Sequence, residues 1–389
     1  MDVWIDRPEL AQLIAARVAE RPVVVLTGIR QVGKSALLRH LFPTHRYLTL
    51  DLPSLAEAAE RDPEQLLREH PTPLLIDEVQ YAPALFRHLK RSVDADRTPG
   101  RFVLSGSQKF VLMREVSESL AGRASVIEIE GLRGVEALAA QPQFDECDLL
   151  LRHGFPELIA NPRLDAAAWL RDYTVTYLER DLRAILNVSS LRDFERFLRL
   201  LALRGGGLLN QSELARDVGI AVSTVGQWLS ALTTAGLVVL LEPWFSNRAK
   251  RLVKSPKVYF TEVSLQASLC GIATREELLR SPLLGALWET FVFGELRRAQ
   301  QQQQGSSRIF FYRDNAREAD FLIDRGGRIS LFDAKWNEQP DRAAARALEG
   351  VIDRIGADVV DYAALLCRAA NRYPISERVV AQPWQRISP

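Results

Sequence analysis

The chain has 389 residues, room for two to four domains each with its own core. Its 47% hydrophobic and 25% charged residues are those of a globular protein, and a formal net charge of +1 excludes an overall electrostatic pull towards nucleic acid or membrane, so any such affinity must come from a local patch. Cys147, Cys270 and Cys367 are far apart with no C-x-x-C spacing, and the five histidines form no cluster, which argues against a disulfide framework and a zinc site. No apolar run is long enough to span a bilayer, and Met1-Asp2-Val3-Trp4 does not open a signal sequence, so a cytoplasmic protein with no membrane partner is expected. Lysine supplies only seven of the 50 basic residues. In so arginine-rich a chain, Lys34 and Lys335 draw attention to sites where a compact ammonium matters.

The first element is a buried strand, Val23-Val24-Val25-Leu26, running into Gly28–Ser35, which reads G-I-R-Q-V-G-K-S. Ala36, Leu37, Leu38 and Leu41 continue at helical spacing. Strand, glycine-bounded loop and helix in this order make a phosphate cradle. The backbone of Gly28, Ile29, Arg30, Gln31, Val32 and Gly33 wraps phosphate oxygens, with Lys34, Ser35 and Ala36 at the helix start. Lys34 reaches the β- and γ-phosphates, and the Ser35 hydroxyl is an expected Mg²⁺ ligand.

A second apolar strand, Pro73 to Ile76, ends in Asp77-Glu78. Asp77 is expected to hold Mg²⁺, and Glu78 to orient the attacking water. A third, Phe102 to Leu104, ends in Ser105-Gly106-Ser107-Gln108, where Ser107 is preferred over Ser105 as a γ-phosphate sensor. Leu120-Ala121-Gly122-Arg123 precedes a further strand, Ala124 to Ile129, and the alternation of strands with amphipathic helices predicts an α/β parallel sheet.

Residues 146–204 read as a helical lid or connector, and Gly205-Gly206-Gly207 breaks the pattern as a candidate hinge. Residues 205–272 read as a winged helix-turn-helix. Asn210 caps a first helix with Glu213 closing the capping box, Gly219 makes the turn, Ser223 opens the second helix, and Val238 to Leu241 is the first wing strand. Arg248, Lys250, Arg251, Lys254 and Lys257 load the wing with positive charge and are the DNA-binding candidates.

The remainder, 273–389, opens with a helix bearing Trp288, Glu289 and Phe291. Strands follow over Ile309 to Tyr312, Glu318 to Ile323 and Ile329 to Lys335. Asp333 and Lys335 lie two apart and share a face. With Asp320 on the neighbouring strand and Glu289 on the helix they form a possible second metal site, of the kind used in Mg²⁺-dependent phosphodiester hydrolysis.

G-I-R-Q-V-G-K-S, L-L-I-D-E-V-Q, S-G-S-Q with E-S-L-A-G-R, T-Y-L-E-R-D-L, R-L-V-K-S-P-K and F-Y-R-D…E-A-D-F-L-I run nearly end to end. Together they resemble the prokaryotic AAA-superfamily ATPases that carry a C-terminal domain of unknown function, itself similar to the PD-(D/E)XK restriction-endonuclease fold. The resemblance implies an AAA-type P-loop sheet over 1–145, then the winged helix, then a nuclease-like α/β domain. It implies ATP hydrolysis with Lys34, Glu78 and Arg123 catalytic, Arg123 acting as an arginine finger across the boundary of a homo-oligomer. The chain departs from the nuclease signature in having D-A-K for E-x-K and Glu-Ala ahead of Asp320. The reading is an ATP-driven switch or motor associated with DNA; the alternatives are a signalling or assembly ATPase whose C-terminal domain binds protein, and an ATP-regulated nuclease.

Overall fold

In the computed structural model, residues 4–107, 109–178, 190–245, 255–302, 307–314 and 317–387 are described. Every residue of β1 (Val23–Thr27) is buried. A strand apolar at consecutive positions has to be covered on both faces. It therefore sits inside a five-stranded parallel sheet with β2 (Arg46–Thr49), β3 (Leu74–Asp77), β4 (Phe102–Gly106) and β5 (Ala124–Glu128), in the order β2-β3-β4-β1-β5. The two-residue alternation sends Val24 and Leu26 towards Leu10, Ile14 and Leu38 on one face. Val23 and Val25 go to the other, against Phe86, Leu89, Phe102 and Leu104. All five strands point the same way, so Gly28, Asp77-Glu78 and Ser107 emerge at one edge, outside the carboxyl ends.

The segment over 146–204 is helical where described, ending in helix Leu191–Ala202. Helices Gln211–Val218 and Val222–Thr234 follow, then a two-stranded antiparallel hairpin of β6 (Val238–Leu241) and β7 (Lys257–Phe260). Asn210 caps the first helix by accepting from Glu213 N–H at 3.2 Å, and Gly219 turns the chain at φ 88°. The Glu213 carboxylate faces Arg204 at 3.8 Å instead of closing a box. The triglycine is no open hinge. Gly206 N–H donates to Val258 O at 2.8 Å, and Val258 N–H to Gly207 O at 3.1 Å, which ties the segment to β7. Val225, Trp228, Leu237 and Phe260 share one continuous core with Ile29, Val32 and Leu38 of the loop and helix that follow β1.

The last third is a six-stranded mixed sheet, order β12-β13-β11-β10-β9-β8. It comprises β8 (Arg308–Arg313), β9 (Glu318–Asp324), β10 (Ile329–Ala334), β11 (Val360–Cys367), β12 (Tyr373–Pro374) and β13 (Val380–Pro383). Helix Leu284–Gln302 covers one face through Phe321, Ile323 and Phe332, and helix Arg342–Ile355 the other through Leu322 and Leu331. Beyond β6 the chain adds to the sheet edge, with Trp244 N–H donating to Phe311 O at 2.7 Å. Among the described residues no helix is long and apolar enough to cross a membrane.

Candidate nucleotide site

The loop after β1 is shaped by residues that tolerate unusual backbone. Gly28 has φ 149°, and a Cβ there would stand 2.0 Å from the O of Ile129, the residue just past β5. Gly33 has φ 84° and opens helix Lys34–Leu41, so the first-turn N–H groups of Lys34, Ser35 and Ala36 face the cradle. Lys34 Nζ donates to Gly28 O and Ile29 O, each at 2.9 Å. Burial pushes its pKa down to about 8, against the pull of Glu78 and Asp77. An ammonium buried on loop carbonyls beside two carboxylates suits phosphate oxygens better than either, so the donor set fits a nucleoside triphosphate.

Asp77, buried at the end of β3, accepts from Tyr47 OH at 2.9 Å and from Ser105 Oγ. Burial, then the Asp77 charge, pushes the Tyr47 phenol up to about 12. Ser107 Oγ donates to Glu78 Oε2 at 3.0 Å, so the two serines divide between the two acids. Ser105 and Ser107 both stand at the phosphate edge; only Ser107 reaches the water-orienting candidate. Tyr47 and Gln80 were missed by sequence reasoning. Nothing marks Tyr47 along the chain, while Gln80 lies two residues past the acid pair. Beside Gly33, Ala36 and Leu37 opens a cavity of about 550 Å³ walled also by Trp4, Pro156 and Asn161. Trp4 stacks on His40 with centroids 4.1 Å apart.

Arg123 lies at the opposite end of the sheet. Ala124, which follows it, pairs with Val23 at the start of β1, about five strand residues, or roughly 16 Å, from the loop. Its guanidinium forks onto Asp94 at 2.7 and 2.9 Å.

The C-terminal carboxylates meet, though with a different centre than expected. Asp320 N–H donates to Asp333 Oδ1 at 3.0 Å and Ala334 N–H to Asp320 Oδ2 at 2.9 Å, lacing β9 to β10. Lys335 Nζ is 3.5 Å from Asp333. Glu289 instead accepts from Lys257 Nζ at 3.0 Å and from Tyr259 OH at 2.5 Å. Lys257, expected on an exposed wing against DNA, is only 3% exposed and also meets Glu318 at 2.8 Å and Asp320 at 3.7 Å. Two-residue alternation along β7 explains this: Lys257 and Tyr259 point together into the cluster. Burial, then the Asp320 charge, raises Glu289 and Asp333 each to about 7. Among the described residues no three His, Cys, Asp or Glu side chains group as a metal-holding set. Arg248, Lys250, Arg251 and Lys254 lie outside the described residues.

Comparison with known proteins adds the relatives. The uncharacterized protein Rv2008c of Mycobacterium tuberculosis is 34% identical over 388 residues, spanning 98% of this chain and 85% of that protein. Mb2031c of Mycobacterium bovis gives the same figures. The chain belongs to one family with these proteins. Residues 20–138 match an AAA domain, while 144–276 and 284–387 match domains of unknown function, DUF8612 and DUF4143. The N-terminal third of this family member is thus an AAA-type P-loop ATPase domain of α/β fold. Among solved structures it is similar to the Walker-type ATPase PABY2304 of Pyrococcus abyssi, at 15% identity and TM-score 0.44, covering 68% of this chain and 96% of that one.

Proposed function

We propose that this protein is an ATP-hydrolysing switch in which nucleotide state at the loop is passed to the C-terminal half through buried charge. The observation that carries the reading starts at Ile129, whose O lies against Gly28. The next residues enter a charged network: Arg7 donates to Glu130 O and Gly131 O at 3.2 and 2.9 Å, and Gly131 N–H donates to Glu262 Oε1 at 3.1 Å. Arg298, on the C-terminal helix Leu284–Gln302, donates to Glu262 Oε2 at 2.8 Å, while Arg297 binds Glu130. From the same helix Glu295 accepts from Gly134 N–H at 2.9 Å and meets His153 at 3.2 Å. Glu262 lies two residues past the end of β7, so loop, hairpin and C-terminal domain converge on one set of groups. Several contacts stop at ion-pair distance, as with Arg298 Nε to Glu130 and His153 Nδ1 to Glu262, both 3.7 Å. Buried groups short of full hydrogen bonding are costly, so a second arrangement that pairs them differently is the bistable element this reading requires.

In hydrolysis, Lys34 and the loop N–H groups bind and orient the phosphates, and the cavity beside Ala36 receives the base. Ser35 and Asp77 would hold Mg²⁺, which neutralises phosphate charge when bound. Glu78 orients the attacking water and Ser107 reports on the γ-phosphate. Arg123, remote from its own loop, is suited to act only on a neighbouring subunit of a homo-oligomer.

DNA engagement rests on the basic run Arg248, Lys250, Arg251 and Lys254 in the sequence between β6 and β7. Its test is the ATPase rate with single- and double-stranded DNA across a salt series, where phosphate contacts give a steep salt dependence. An unchanged rate and no binding at low salt would favour the second reading, an assembly or signalling ATPase whose C-terminal domain docks protein. The ammonium of Lys257 among the C-terminal carboxylates supports that second reading over a nuclease.

A further inference from the structure

We propose that the Gln80 amide positions the Glu78 carboxylate for hydrolysis, an inference that rests on Glu78 being the water-orienting acid. Glu78 leaves β3 in the left-handed region, at φ 55° and ψ 41°, which a non-glycine residue holds only where its surroundings fix it. Gln80, on the single turn Val79–Tyr81 that follows, is 4% exposed and donates from Nε2 to Glu78 Oε2. Ser107 approaches the same oxygen from β4, through Oγ at 3.0 Å and N–H at 3.4 Å. All three donors therefore meet Oε2, and no described donor meets Oε1. One carboxylate oxygen is anchored from the turn after β3 and from the residue just past β4, while the other keeps its lone pairs for a water proton, the arrangement a general base requires.

The far end of the amide makes the case specific. Gln80 Oε1 is buried and has no hydrogen-bond partner among the described residues. It lies across Gly106 at the end of β4, where a Cβ would stand 2.3 Å away. A leucine of similar shape would fill that space without leaving a polar atom unsatisfied. The amide is thus retained for its one bond, and that bond goes to Glu78.

The test uses the full chain. Gln80→Leu should lower kcat on the order of 10- to 100-fold, the loss of one charge-assisted hydrogen bond. The Kd for a non-hydrolysable ATP analogue should not change. Gly106→Ala, which displaces the amide without removing it, should give a similar loss. In a Glu78→Gln background Gln80→Leu should cost nothing further, because it acts through Glu78; a merely structural role would give losses that add. If Gln80→Leu does not fold, Gln80→Met, close in volume and without a donor, carries the same test. A wild-type kcat in these variants, or additive losses in the double variant, overturns the inference while leaving Glu78 as the base. A wild-type rate in Glu78→Gln alone sinks the assignment of the base itself, and the inference with it.

Discussion

At the scale of single residues, the site separates binding from chemistry. Lys34 is buried on its own loop carbonyls, where its charge has no full counter-ion; phosphate oxygens supply one. Lys34→Ala should therefore abolish tight ATP binding, seen as loss of fluorescent-analogue binding with little change in Tm. Glu78→Gln should bind ATP as before and hydrolyse it roughly 10²- to 10⁴-fold more slowly, the usual span for a general base. Equal hydrolysis by Glu78→Gln and wild type would show that another group handles the water. The placement of both at one sheet edge was legible in the sequence, Lys34 from the glycine loop between strand and helix and Glu78 from the acid pair that ends an apolar strand. Tyr47 was not: its link to Asp77 depends on β2 pairing beside β3 at Thr49 and Asp77, which local pattern does not encode.

At the scale of elements, the parallel strands and the two helices joined at Gly219 were legible from alternation, the glycine turn and the Asn210 cap, since each signal is local. What differed was Lys257. A run of lysines and arginines looks solvent-exposed along the chain, yet β7 alternation carries Lys257 inward to Glu289 and Glu318, which lie 32 and 61 positions later. The same cluster makes a pH prediction. Asp333 has its pKa raised to about 7 by burial and by Asp320, so the folded state binds this proton more tightly than the unfolded chain. Stability from this group is fully present below the ordinary carboxylate range and is lost as pH rises towards 7. Asp333→Asn cannot titrate and still offers an acceptor to Asp320 N–H, so its Tm should fall less than that of wild type between pH 4.5 and 7. Parallel Tm curves for the two proteins would contradict the shift. Arg123, forked onto Asp94 at the far sheet end, supplies another test, of the proposed action on a neighbouring subunit. Mixing Arg123→Ala with Lys34→Ala should restore part of the ATPase activity each lacks, and rates independent of both mixing and concentration would exclude that role.

At the scale of the whole molecule, the feature that no local pattern announced is the meeting of distant charges. Glu130, Glu262 and the Glu295–Arg298 pair of the C-terminal helix are widely separated along the chain, and each alone looks like an ordinary surface residue. Folding buries all four at the junction of the ATPase sheet, the hairpin and the C-terminal helix. Glu262 is the shared point, joined to Gly131 of the ATPase unit by one oxygen and to Arg298 by the other. Breaking a buried pair by removing one partner costs about 3–5 kcal/mol, because the remaining charge is left without compensation. Glu262→Gln keeps the shape but weakens the grip on Arg298, so Tm should drop while nucleotide still binds at the intact loop. If the network transmits nucleotide state, wild type should show ATP-dependent change in hydrogen exchange along helix Leu284–Gln302, and Glu262→Gln should lose it. ATP binding measured in parallel guards against simple unfolding. A variant that binds ATP and retains the full exchange response in that helix would show that the signal does not pass through Glu262, and the switch would need another route between its two ends.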